Sequence, residues 1–225
     1  MKIIPAVLAA DAKDFERKLS IATPLSNEVQ VDIATSDFVD SNSLGIDEVL
    51  AIIAKTKLNV SYHLMTRDIA KHIDRISSQP YRRIIIHAEA EPDFDRFYKL
   101  VDKDKRGLAI NPETSVDKVA AELDNFAELL ILTVHPGHSG GQFIPETVGK
   151  IKDAKRLAPH LTVSADGGIN ENNISELKSA GCDIAYVGSA LLESENPKEY
   201  YDNLESVLSR LNNPTLGGKK AELQL

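Results

Sequence analysis

The feature that most constrains this chain is an alternation. Short apolar runs recur along it, and each is followed by a segment with helical spacing. The runs are "KIIPAVL" (2–8), "EVQVDIA" (28–34), "LNVSYHLM" (58–65), "RRIIIHAEA" (82–90), "RGLAIN" (106–111), "ELLILTV" (128–134), "LTVSAD" (161–166) and "IAYVG" (184–188). Helical patterns follow them, beginning with Ala12 to Ala22 and "GIDEVLAIIAKT" and ending near 197–211; they include "SVDKVAAELDN" after the fifth run. Strands that alternate with helices imply parallel pairing, because each crossover returns the chain to the same end of the sheet. Eight such units, spaced roughly 25 residues apart, fit a (β/α)8 barrel better than an open doubly wound sheet. No Pro/Gly/Ser-rich linker interrupts the pattern, so residues 1–211 read as one domain. The tail "NNPTLGGKKAELQL" (212–225) breaks the periodicity with Pro and Gly and is expected to be poorly ordered.

In such a barrel the chemistry gathers at the carboxyl ends of the strands. The polar residues in these apolar runs fall there: Asp32, His63, His87 with Glu89, Asn111, His135 and Asp166. Gln30 lies two residues before Asp32, so both point to the same face of their strand. Asp32, His63 and Asp166 come from three strands and would converge on one mouth. With Gln30 beside them they could form a divalent-cation site of mixed oxygen and nitrogen ligands. Any one of them alone reads equally well as a strand-end residue hydrogen-bonded to a loop.

Two glycine turns form a second constellation. "SADGGIN" (164–170) brings Gly167 and Gly168, and "YVGSALL" (186–192) brings Gly188 and Ser189, each just after a strand and at the start of a helix. Backbone N–H groups there can hold a phosphate, although a Gly pair also serves a plain tight turn. The stretch "VHPGHSGGQF" (134–143) is either a lid over a ligand or a turn cluster, and its His135 and His138 are expected to be solvated. Cys182 reads as a small buried residue rather than a nucleophile.

Charge excludes some functions. The net charge of -8 and pI near 5.3 argue against nucleic-acid binding, which requires a basic face. No apolar run approaches membrane-spanning length, and the first residues turn charged too soon for a signal peptide. A single cysteine excludes an internal disulfide framework. A soluble cytoplasmic protein is the expectation.

Taken together, the motifs resemble the ribulose-phosphate 3-epimerase family, whose members are ribulose-phosphate-binding barrels. "VDIATSDFV" matches the family's H-V-D-V-M-D-G-x-F-V, and "YHLM" its V-H-L-M. "LTVHPGHSGGQFI" matches M-T-V-N-P-G-F-G-G-Q-x-F-I, "ADGGIN" matches V-D-G-G-I, and "HAEA" and "AINPET" also fit. The order and spacing hold from "PAVLAAD" to "YVGSALL". The resemblance implies one divalent metal (Zn, Mn, Mg, Fe or Co) with two His and two Asp ligands. It implies that Asp32 and Asp166 are both ligands and the acid/base pair, and that His63 is one His ligand. It further implies a phosphorylated pentulose as substrate, held by Met65, Gly137, Ser139, Gly140, Gly167, Gly168, Gly188 and Ser189. A homo-oligomer is compatible with it.

The departures from the pattern cluster at the same place. Gln30 stands where the family has its other His, and an amide oxygen is a weaker zinc donor than imidazole. Ala9 replaces a Ser; Ala34, Thr35 and Ser36 replace M-D-G; Leu132 replaces a Met; and Gly141 stands at the family's Gln. Gln30, Ala9 and Thr35 together predict weakened or exchanged metal binding and bear on whether turnover survives. An enzyme acting on another phosphorylated sugar, or a non-catalytic sugar-phosphate binder, therefore stands beside the epimerase reading. The D-x-K-x-x-D strand motif of sister enzymes that handle hexulose phosphates has no counterpart, since "DIATSD" lacks the Lys.

Overall fold

The computed structural model describes residues 1–137 and 140–212; His138, Ser139 and the tail 213–225 lie outside the described residues. Eight strands close into a parallel barrel in chain order: β1 Lys2–Val7, β2 Glu28–Ala34, β3 Asn59–Met65, β4 Arg83–His87, β5 Arg106–Ile110, β6 Glu128–Leu132, β7 Thr162–Asp166 and β8 Ile184–Val187. Closure is made by β1 against β8, with Lys2 opposite Ile184. Helices α1 Ala12–Ala22, α2 Ile46–Ile53, α3 Ile69–Ile76, α4 Phe94–Leu100, α5 Val148–Leu157 and α6 Ile174–Ala180 lie in the connections between strands. A short α7 Ser189–Leu192 and a long α8 Pro197–Asn212 follow β8. The sequence is therefore a (β/α)8 barrel, as its alternation predicts.

Helices α1, α3 and α4 start at acidic caps. Asp11 accepts from the Asp14 N–H at 2.9 Å and Asp93 from the Arg96 N–H at 3.0 Å, each satisfying an otherwise unpaired donor of the first turn. One crossover departs from expectation. Residues Val116–Asn125 form a 3-10 helix rather than an α-helix. Its buried Val116, Val119 and Leu123 suit either form. The tighter winding extends ten residues over about 20 Å instead of about 15 Å, which lets a short segment run back along the barrel.

Burial separates into two main cores and a small cluster of Ala34, Val39 and Met65. The larger lies between the strands and the helix ring, where Val29, Val31, Val60, Leu64, Ile84, Ile86, Leu129 and Ile131 meet α1 to α8. The smaller core consists of Ile4, Ala6, Ile85, Ala109, Leu130, Leu132, Ile184 and Tyr186. These alternate with the outer set along each strand, so they fill the inside of the barrel. The inward positions of β2, β3 and β7 are polar instead: Gln30 and Asp32, Ser61 and His63, Ser164 and Asp166.

Near the amino-terminal end of the strands the interior holds a buried ionic cluster. Glu128 is fully buried and accepts from Arg83 Nε at 3.0 Å, Arg82 Nη1 at 3.3 Å, Ser164 Oγ at 2.8 Å and the Tyr186 hydroxyl at 2.7 Å. Arg82 also pairs with Glu28 at 3.2 Å, and Glu28 with Lys2 at 2.7 Å. Every oxygen of Glu128 is thus answered by donors from other strands, which makes its burial tolerable.

Candidate active site

At the opposite end of the barrel, three strands deliver one ligand-grade side chain each. Asp32 and His63 are register partners on β2 and β3, and Asp166 is the last residue of β7. One ligand atom from each lies within 4.8 Å of the others, a spacing that could hold a metal ion. His63 Nδ1 is 3.0 Å from Asp32 Oδ1 and 3.6 Å from Asp166 Oδ2. Gln30 lies fully buried beneath them, and its Nε2 donates to Asp32 Oδ1 at 2.9 Å and to Asp166 Oδ2 at 2.6 Å.

Two residues from β4 and the turn after it set the orientation of His63. Its Nε2 is 2.8 Å from His87 Nε2, and His87 Nδ1 is 3.3 Å from Glu89 Oε2. Burial favours a neutral Glu89 carboxyl, but hydrogen bonds from His87, Thr114 and the Asn111 N–H outweigh it and bring its pKa down to about 2. Burial pushes the His87 pKa down to about 4, so this ring is neutral. An ionised Glu89 only accepts, which places the single His87 proton on Nδ1 and leaves its Nε2 as an acceptor. His63 must then donate from Nε2, and its Nδ1 faces the two carboxylates. Burial is the largest influence on His63 and opposes its charged form. The Asp32 hydrogen bond, with the Asp32 and Asp166 charges, overrides it and raises the pKa. The Asp166 carboxyl is also raised, first by burial and then by the neighbouring Asp32 charge.

The mouth opens into a cleft with a cavity volume of about 80 Å³. Asp32, His63, Met65 and Asp166 line it together with Gly137, Gly140, Gly167, Gly168, Gly188 and Ser189. Gly167 and Gly168 have φ of +111° and +62°. A Cβ on Gly168 would stand 2.7 Å from Phe143 N, so the turn requires glycine there. The Gly168 carbonyl is held by Asn170 Nδ2 at 3.1 Å and Asn173 Nδ2 at 2.9 Å. A shallower recess adjoining the cleft is lined by Gly140, Gly141, Gln142, Gly168, Asn170 and Ser189, which keeps a glutamine beside the glycine turns one position after the family's.

The other candidates are placed as follows. His135 is exposed and turned outward, its Nδ1 3.0 Å from Glu113 Oε1. Thr35 bonds Asp37 in the loop after β2, and Ala9 is buried after β1. Cys182 is buried and donates to the Ile184 carbonyl at 3.0 Å; its thiol pKa is pushed up to about 12 by burial. Lys18 also lines the cleft, although sequence reasoning did not single it out. It reaches Asp14 at 2.8 Å and the Leu8 carbonyl at 2.7 Å, and the Asp-x-x-x-Lys spacing on α1 was the available signal.

Fold and site define a class: a single-domain (β/α)8 barrel with a cation-competent Asp/His/Asp group and glycine turns at the carboxyl ends of its strands. Comparison with known proteins narrows the class. The Ribulose-phosphate 3 epimerase family matches residues 2–192, and this chain belongs to that family. It is 26% identical over 222 residues to the ribulose-phosphate 3-epimerase of Escherichia coli (strain K12), covering 93% of this chain and 96% of that protein. It is 27% identical over 207 residues to that of Bacillus subtilis (strain 168), covering 88% and 95%. Among solved structures, KGPDC from Streptococcus mutans superposes with a TM-score of 0.70 at 12% identity, covering 93% of this chain and 97% of that one. The 3-hexulose-6-phosphate synthase from Salmonella typhimurium does so with 0.66 at 14%, covering 93% and 99%. These two likenesses concern the fold alone. Among the described residues, no helix is long and apolar enough to cross a membrane.

Proposed function

We propose that this chain interconverts D-ribulose 5-phosphate and D-xylulose 5-phosphate by moving a proton between Asp32, Asp166 and the carbon beside the substrate carbonyl. The observation that carries the reading is the carboxylate pair itself, two acids from β2 and β7 joined through one buried amide at 2.9 and 2.6 Å. Epimerisation needs a base on one face of a carbon and an acid on the other. One carboxylate takes the proton, and the electron pair of the broken C–H bond moves toward the carbonyl to give an enediolate. The other carboxyl returns a proton to the opposite face. The raised pKa of Asp166 suits it to carry that proton near neutral pH. Asp32, His63 and Asp166 are the residues that would hold a divalent cation; such a cation supplies positive charge to the enediolate oxygens. The phosphate would rest on backbone N–H groups of the Gly167–Gly168 and Gly188–Ser189 turns, with Gly137 and Gly140 above it and Met65 against the sugar.

The test is a coupled assay on ribulose 5-phosphate after chelation and resupply of Zn, Mn, Mg, Fe(II) or Co. Asp32→Asn and Asp166→Asn should each lower turnover by roughly a hundredfold or more. Either variant turning over like the parent would remove it from the acid/base pair. Sugar-phosphate binding without turnover under every metal would replace the epimerase reading with that of a binding homologue.

A further inference from the structure

Gln30 is fully buried, and both protons of its amide nitrogen are spent on the two acids, at 2.9 Å to Asp32 Oδ1 and 2.6 Å to Asp166 Oδ2. Its oxygen, Oε1, is buried without any partner. An amide arranged this way satisfies two carboxylates with one neutral group and leaves its own acceptor orphaned. Turning it by 180° would bring Oε1 against two carboxylate oxygens, which nothing stabilises in the absence of positive charge. With a cation between the acids, the same rotation supplies a further oxygen ligand and ends the isolation of Oε1.

We propose that Gln30 is a positioning residue with two settings: a hydrogen-bond clamp that holds Asp32 and Asp166 together without metal, and, after an amide flip, an oxygen ligand that admits one. A cation must break both clamp bonds before it gains the amide oxygen. Hydrogen bonds to charged groups are each worth a factor of ten or more in an equilibrium constant, so the clamp lowers cation affinity steeply. In return the acids remain closely held in a metal-free chain, where two carboxylates with no donor between them would repel. Imidazole in this place cannot do the same, because one ring nitrogen offers only one proton. The inference stands on the geometry of the amide and does not depend on which sugar phosphate the site turns over.

The experiment uses the whole chain and zinc alone as probe. Side-chain amide resonances of 15N-labelled protein are recorded in chelator and through a zinc titration, with Gln30 assigned by its disappearance in Gln30→His. Melting in chelator and zinc calorimetry are measured for the parent, Gln30→His and Gln30→Met; the last keeps the length of the side chain without its hydrogen bonds. The clamp predicts a slowly exchanging Gln30 amide without metal, which shifts and exchanges faster as zinc binds. It predicts a lower metal-free melting midpoint for Gln30→Met that zinc restores, and zinc affinity at least about tenfold higher in Gln30→His. If the parent does not bind zinc while Gln30→His does, the ligand setting of Gln30 is overturned. The inference is overturned if zinc saturates the parent while the Gln30 amide is unmoved. It is also overturned if Gln30→Met melts like the parent in chelator, or if neither the parent nor Gln30→His binds zinc.

Discussion

Replacing Glu128 by Gln tests the buried ionic cluster near the base of the barrel. The substitution keeps the shape of the side chain but removes the charge that answers Arg83 and Arg82. Four hydrogen bonds end on this carboxylate, two of them from guanidinium groups. Removing one partner of a buried ion pair typically costs about 3–5 kcal/mol, because the other charge is left uncompensated. The lower end applies here. Arg82 keeps Glu28, and Arg83 keeps the Asp104 carbonyl at 2.7 Å. A loss of about 3 kcal/mol corresponds to a fall of roughly 6–12 °C in Tm for a domain of this size. Urea unfolding at neutral pH, with calorimetry, reads it directly. The combination Glu128→Leu with Arg83→Met should recover much of the loss, since an apolar replacement of both partners removes the stranded charge. The reasoning is refuted if Glu128→Gln unfolds within about 1 kcal/mol of the parent, or if adding Arg83→Met to Glu128→Leu brings no recovery.

Gly168→Ala should fold but lose sugar-phosphate binding. It forces a Cβ against Phe143 N at a φ of +62°, and a rise of roughly tenfold or more in KM is expected, with a normal KM as the contrary result. Glu89→Gln probes acid sensitivity. A carboxylate whose pKa is brought down to about 2 adds stability above its unfolded value, near 4.5, and that stability drains away as pH falls toward 2. The parent should therefore exceed Glu89→Gln by about 2 kcal/mol at pH 6, its residual exposure allowed for, with the gap closing below pH 4. Urea midpoints that keep a constant gap from pH 6 to pH 3 would contradict this.

Much of the fold was legible because barrel strands are buried on both faces, so each reads as a nearly unbroken apolar run. The ends of the runs were less legible. "ELLILTV" continues to Val134, but the strand stops at Leu132, after which the Thr133 N–H turns to the Asp166 carbonyl at 2.8 Å. The 3-10 crossover was hidden because its buried positions also suit an α-helix. Asp32, His63 and Asp166 stood out as polar residues in apolar strands. The way they pair did not. Gln30 reaches Asp166 across 136 residues, and the path from His63 through His87 to Glu89 requires β3 and β4 to be in register. Glu128 was not singled out at the start of its run, because the Arg82 that donates to it lies 46 residues earlier.

Each end of the barrel interior thus carries ionised groups, with the apolar layer of Ile4, Ala6, Ile85, Ala109, Leu130 and Leu132 between them. A layer of hydrocarbon screens poorly, and fields cross it that water would extinguish. The charge of Glu128 accordingly reaches His63 and adds to the rise in its pKa, although the two residues share no hydrogen bond. The base and the mouth therefore cannot be tuned independently. A substitution chosen at the base to make the protein hardier also alters how strongly an imidazole at the far end holds its proton.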